Sequence, residues 1–380
     1  MRRESLLFVA LALPIGRPDV EIRGFDMNES KGGVRSLEML ADTSELFKSA
    51  GLAGLKNLQI RLWTEYSTAP YEISGKSGVL NTENQDFEIP AEAKVKSPDG
   101  YLFEAPDLFY LAAKRELSSD KEIKARSVTK DAPSQLKMSG IGLNIKLNLG
   151  TYEIQKKVRA EQRTGPKNIL YISSNSSVIT PRTAHSEFFR NVSVRSADME
   201  LTGQYLKLIF TNANDKAPDG SSSSRPKQMI LGNSSNYKNS QGTIEAVLAK
   251  LKIKSKGLVI DFGAEGNLKR TEAIGGATGE AADGVGLKAE TLVSEPINGV
   301  DRILLKDNAQ IVTGTRIGTC QQAEFYPDTG EIILEKIASV KNGNQVIRGE
   351  RIRLSTRNSE IVVEKAEGTM EKSDINPRKN

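Results

Sequence analysis

Reactive side chains are scarce in this chain: its 380 residues include one cysteine, one histidine and one tryptophan. A lone Cys320 excludes an intrachain disulfide, a Cys–Cys redox pair and any zinc site built from Cys and His clusters. A nucleophilic triad would have to use His185, which lies between Pro181 and Ser186 with no motif around it. Carboxylates are plentiful, but no pair stands out as an acid and base set. We therefore expect no enzyme, no catalytic residue, no metal and no cofactor. A long Lys/Arg run and an aromatic-rich basic motif are also missing, which argues against nucleic acid as a partner. The net charge of +5 is a mild basic excess, as suited to a solvated surface as to an anionic partner.

Long apolar runs are missing too. The longest near the N-terminus, Leu6 to Leu13, follows Arg2 and Arg3 and precedes Pro14. It is too short to span a bilayer, which takes about 20 residues. Three readings stay open for residues 1–19: an export signal, a short membrane anchor, or a first strand packed on the core. Basic residues followed by a short apolar run favour export or anchoring.

What the chain does have is glycine, 32 in all, and a recurring eight-residue pattern with an apolar residue, then a small one two positions on, then apolar positions. It reads Met39-x-Ala41…Leu46, Ile73-x-Gly75…Leu80, Phe103-x-Ala105-x-x-Leu108-x-Tyr110 and Leu201-x-Gly203-x-x-Leu206-x-Leu208. It returns as Leu287-x-Ala289-x-x-Leu292, Ile317-x-Thr319 and Ile347-x-Gly349-x-x-Ile352-x-Leu354. The last three copies start 30 residues apart (287, 317, 347), as do those at 73 and 103. A fixed step of this size predicts stacked structural units. Side chains two apart on a strand share a face, so each copy presents its apolar residues to one side. The small residue leaves room for a turn or a close neighbour.

Alternation predicts strands around Val20–Ile22, Leu37–Met39, Leu58–Leu62 and Phe87–Val95, with turns at Lys31–Gly33 and Pro98–Gly100. Leu108 to Arg115 has a helical composition, but its place in the repeat argues for a strand. Ile141 to Leu149 carries five alternating apolar positions, the cleanest strand pattern in the chain. Residues 212–242, rich in Ser, Asn and Gly, predict a loop or linker. Thr243 to Lys254 fits helical and strand spacing alike. Further strands are expected at 258–262, 303–305, 311–312, 332–334 and 361–363, with hairpin turns at Asp328–Gly330 and Asn342–Asn344. The tail at 373–380 is polar.

The stretch from Cys320 to Leu354 resembles the OstA/LptA family of lipopolysaccharide-transport proteins, through Phe325, Ile332, Leu334, Val340, Ile347, Gly349, Ile352 and Leu354. The first region is similar to LptC, through Val20–Gly24, Leu40–Asp42, Ile73–Leu80 and Pro98–Ala105. This resemblance implies an all-β fold of stacked antiparallel β-jellyrolls, each a slotted, V-shaped pair of sheets. It implies an LptC-like jellyroll at 20–127, a less regular β region at 128–256 and an OstA/LptA-like jellyroll at 257–372. It further implies non-enzymatic transport of lipopolysaccharide across the periplasm, in a bridge between inner and outer membranes. The implied partners are lipid A, other Lpt-type jellyroll proteins and an inner-membrane ABC transporter complex.

On that footing the expected groove lining is Phe87, Ile89, Val95 and Phe103 in the first region. In the last region it is Leu287, Phe325, Ile332, Leu334, Val340, Ile347, Ile352 and Leu354. Arg348, Arg351 and Arg353 are either rim contacts for lipid phosphates or an ordinary solvated face, the second being the simpler reading. A rival from another class is a structural β-solenoid, an envelope protein or adhesin with a dry core.

Overall fold

A computed structural model describes residues 11–128, 136–165, 168–211, 225–236, 242–281, 284–297, 299–358 and 360–366. These residues form 26 strands and two single-turn 3-10 helices. The class is all-β and antiparallel, as expected, with two compact units. The first unit contains Met1–Arg163, Ile169–Phe189 and Thr211–Arg225. The second contains Thr164–Asn168, Arg190–Phe210 and Pro226–Asn380.

Each unit is a pair of sheets made largely by folding one ladder across its middle. In the second unit the fold line is explicit in the register. Pairing between Leu268–Ala281 and Gly286–Ile297 breaks between Ile274 and Ala277. It breaks between Lys306 and Ala309 in Val300–Thr313, and between Glu335 and Ala338 in Glu331–Asn342. At each break two consecutive residues take left-handed backbone: Gly275–Gly276, Asp307–Asn308 and Lys336–Ile337. Two left-handed residues form a bulge that re-aims the strand without ending it. One half of every long strand therefore lies in a front sheet (268–274, 291–297, 300–306, 322–326, 331–335, 351–355). The other half lies in a back sheet (277–281, 286–289, 309–313, 316–320, 338–342, 345–349).

This folding explains the small residue of the repeat. Across the inner side of the crease Ala277 faces Ala289, Ala309 faces Cys320, and Ala338 faces Gly349. Room is shortest inside a crease. A Cβ added at Gly349 would sit 2.7 Å from Cγ1 of Val363. The register also corrects one copy of the repeat. Ile317 and Thr319 point outward, while Gly318, Cys320, Ala323 and Phe325 point inward, so the inward copies start at 287, 318 and 347.

The first unit folds the same way: Ser67–Asn81, Glu116–Ser127 and Thr151–Arg163 run through the crease into both sheets, while the strands beside them are interrupted there. Residues 87–95 are not one strand: Phe87–Ile89 and Ala93–Lys96 lie in different sheets, separated by Pro90–Glu92. Tyr101–Ala105 and Leu108–Leu111 are separated at Pro106–Asp107, with Asp107 left-handed. The helical composition of 108–115 is overridden, because Leu108–Leu111 pairs with Glu116–Ser127. Gly75 sits on the crease, where a Cβ would lie 2.6 Å from Cγ2 of Ile89.

Other expectations resolve locally. Gly32 and Gly33 both have positive φ and close the hairpin between Val20–Lys31 and Val34–Phe47. The open stretch at 243–254 is a strand hairpin, Ile244–Leu248 with Leu251–Ser255. Within the expected loop at 212–242, Pro226–Gly232 is a strand paired with Met199–Phe210 and Gly257–Phe262, because Met229 and Leu231 supply buried inward positions. Most of that loop, with Leu6 to Ala10 and the tail at 373–380, lies outside the described residues. The first strand begins at Val20; before it, the Leu11 backbone N–H donates to Oε2 of Glu88 at 2.7 Å. Among the described residues no helix is long and apolar enough to cross a membrane.

Candidate functional site

The candidate site is the apolar interior between the two sheets of each unit. In the first unit the front sheet supplies Val95 and Phe103 and the back sheet supplies Phe87 and Ile89. Phe103 meets Tyr152 of the opposite sheet edge-on, ring centroids 5.0 Å apart, and Phe87 stacks on Tyr110 at 4.8 Å. In the second unit Phe325, Ile332, Leu334, Ile352 and Leu354 line the front sheet. Leu287, Val340 and Ile347 belong to the back sheet.

Eleven of the twelve expected lining residues are no more than 3 % exposed. Ile347 is the exception and is half-buried, because it lies near the end of the back sheet where Gln345–Ser355 has few neighbours. The interior is filled by its own side chains. Of two surface clefts, one of about 370 Å³ is lined by charged residues such as Glu335, Arg351 and Lys365, and one of about 350 Å³ mixes charged Arg61, Glu72 and Lys96 with Ile60, Ile73 and Leu102. Neither contains any of the twelve. The three arginines considered for a lipid rim point outward. Arg351 pairs with Glu335 and Glu364, Arg353 pairs with Glu331, and Arg348 is exposed.

The inner apolar face does not stop at a polar cap on the terminal strands. Val20–Lys31 pairs only with Val34–Phe47, and Ile361–Ala366 only with Gln345–Ser355, among the described residues. Ile22, Phe25 and Met27 face the same side as buried Ser44, Ala41 and Met39, yet stay half-buried. Ile361 and Val363 face the side of buried Leu354 and Ile352, and are half-buried as well. Among the described residues each such strand offers an unpaired backbone edge beside an unfinished apolar wall.

Sequence reasoning missed the polar groups that face this interior from the far end of the first unit. Tyr71 of the front sheet and Tyr152 of the back sheet are fully buried, with hydroxyls 3.4 Å apart. The Tyr152 hydroxyl donates to Oδ2 of Asp99 at 2.8 Å, and Tyr66 shares a hydrogen bond with Tyr71. Burial raises the Tyr71 and Tyr152 hydroxyls far above the ordinary tyrosine value, and pushes Tyr101 up to about 12. Their spacing in sequence gave no sign of this cluster, since 81 residues separate Tyr71 from Tyr152. The remaining reactive groups are spoken for. The buried Cys320 thiol donates to the Gln322 carbonyl at 3.0 Å, and burial pushes it up to about 11. His185 Nδ1 is 2.8 Å from the Thr183 hydroxyl.

Residues 14–163 match the model of the lipopolysaccharide-assembly, LptC-related family. This stretch of the chain is LptC-like. The LptC-like stretch covers most of the first unit, including the tyrosine cluster and all four lining residues named there. Among solved structures, one match is LptH, the LptA-homologous periplasmic component of the lipopolysaccharide transport device of Pseudomonas aeruginosa. It is 10% identical and covers 46% of this chain and 88% of that one, with a TM-score of 0.19. No curated protein matches the chain.

Proposed function

We propose that this chain carries lipopolysaccharide in the periplasm, without catalysing a reaction, by holding lipid A acyl chains in the apolar interiors of its units. One observation supports this most: the inner apolar faces run uncapped to the first and last described strands, which among the described residues are paired on one side only. A dry structural core has no use for an unfinished wall. A carrier that joins a second sheet of the same kind does, because the added strand extends both the ladder and the oily surface. The partners in this reading are other Lpt-type jellyroll proteins and an inner-membrane ABC transporter complex that supplies the energy. The chain is exported or tethered through residues 1–19.

Burial of an acyl chain is the driving force. Each buried methylene contributes about 0.8 kcal/mol, so a chain of some dozen carbons gains on the order of 8 to 10 kcal/mol. That gain is set against parting side chains that now fill the interior, so lipid uptake and sheet separation are one event. The near-complete burial of the lining favours the rival reading, a dry-cored structural protein.

A photoreactive side chain at Ile332 or Leu334 in living cells separates the two. The carrier reading expects a lipopolysaccharide adduct at both inward positions and none at outward Arg353. Equal labelling at all three, or none at any, sinks it, as does purification of the chain free of lipopolysaccharide.

A further inference from the structure

The side of the second unit opposite its crease is held shut by a few side chains. Lys250 lies at the tip of the hairpin between Ile244–Leu248 and Leu251–Ser255, in the back sheet. Its Nζ is 3.0 Å from Oδ2 of Asp301 and 3.0 Å from Oδ1 of Asp328. Both aspartates stand at hairpin tips of the front sheet, far from the crease. A second tie lies at Arg316, where Arg316–Tyr326 begins in the back sheet. Its guanidinium donates to the carbonyls of Ser355 at 2.8 Å and Asn358 at 3.4 Å, at the front sheet's far end. Behind these ties lie the buried inward residues Phe325, Ile332 and Leu354.

We propose that this side is a seam through which a fatty chain passes sideways into the second unit, and that Lys250 is its clasp. The inference rests on the carrier reading above and specifies how the interior is reached. Three features single out the seam. The crease is crossed by continuous backbone at every long strand, so it hinges but does not part. Within each sheet the ladder of backbone hydrogen bonds resists separation. Across the seam the clasp is an ion pair whose members are each about half exposed, which water and salt replace at little cost. The ligand class matches as well. A lipid with an anionic phosphorylated head offers Lys250 and Arg316 new acceptors as its tails displace the front sheet.

The test uses the full chain with a photoreactive side chain at Leu334 and Cys320→Ala as background. Lys250→Cys and Asp328→Cys are bridged by a short bis-maleimide that contains a reducible bond. Lipopolysaccharide adduct at Leu334 is expected to fall at least tenfold in the bridged protein and to return on reduction. Equal adduct with the bridge closed and open overturns the seam and leaves the sheet ends as the route. No adduct even with the bridge open overturns the carrier reading instead. A charge-swap series covers failure of the cysteine pair to fold or bridge. Lys250→Glu is expected to raise the labelling rate severalfold, and adding Asp301→Lys and Asp328→Lys to return it to the parent rate. An unchanged rate in Lys250→Glu overturns the clasp.

Discussion

The two units reach a similar two-sheet cross-section by the same two devices, interrupted and continuous strands, but differ in the backbone they place at the crease. The first interrupts some strands at the crease, two of them at Pro90–Glu92 and Pro106–Asp107, and carries others through it with single left-handed residues such as Asn57 and Lys157. The second also breaks once at Lys256, between Leu251–Ser255 and Gly257–Phe262, but carries three long strands through the crease on paired left-handed residues, at Gly275–Gly276, Asp307–Asn308 and Lys336–Ile337. Proline and the residue before it suit a break, because proline fixes φ and gives no N–H to a ladder. Gly, Asp and Asn suit a continuous turn through left-handed backbone. The far sides differ too. In the first unit they are joined by a buried hydroxyl cluster, with Arg115 donating to the Trp63 carbonyl at the surface. In the second they are joined by exposed charges. The first unit has the sturdier fastening, the second the more labile one.

The comparison breaks most visibly through the cores. Phe103→Ala removes a fully buried ring from the first unit and Phe325→Ala one from the second. Each is expected to cost about 3–5 kcal/mol. If the units are separately cooperative, calorimetry shows only the transition of the altered unit moving down. A common shift in both variants would mean that the units unfold as one.

Much of this was readable in the residues. Alternation placed Phe87, Val95, Phe103, Phe325, Ile332, Leu334 and Ile352 inward, because a buried face imposes a period of two. The turns at Gly32–Gly33, Pro98–Gly100 and Asn342–Asn344 were legible from positive-φ chemistry. The phase of the copy at 317 was not, because Ile317 is apolar and outward while Gly318 is small and inward, where Leu334 needs the space. The bulges shift register by a residue without a composition signal in Lys336–Ile337. The tyrosine cluster and the Lys250 clasp were illegible for another reason: they pair residues far apart in sequence, which only the folded sheets bring together.

A smaller effect sharpens the contrast between the two fastenings. Tyr152→Phe is expected to cost the first unit about 1 kcal/mol at neutral pH through lost hydrogen bonds. Its alkaline behaviour is more telling. Burial raises the Tyr152 hydroxyl above its ordinary value, so the folded unit keeps the proton that the unfolded chain loses. The resulting stability is complete below about pH 10, the unperturbed tyrosine value, and falls as pH rises above it. Each such tyrosine contributes about 1.4 kcal/mol per pH unit over that range. Chemical denaturation between pH 9 and 11 should therefore show a shallower loss in Tyr152→Phe than in the parent. Equal slopes would mean that Tyr152 is not sequestered from water.

The smallest expected change lies on the crease of the second unit. Ile337 is a β-branched residue held at φ 59° and is 78 % exposed, so it combines an unfavourable backbone with almost no burial in return. The equivalent positions are Gly276 and Asn308, which tolerate that conformation. Ile337→Asn should stabilise the second unit by about 1 kcal/mol, since left-handed backbone costs most L residues roughly 1–2 kcal/mol. The same variant should leave the first unit's transition unmoved. Destabilisation would show that the exposed side chain makes a contact, and would mark the outer crease as a surface that something else covers.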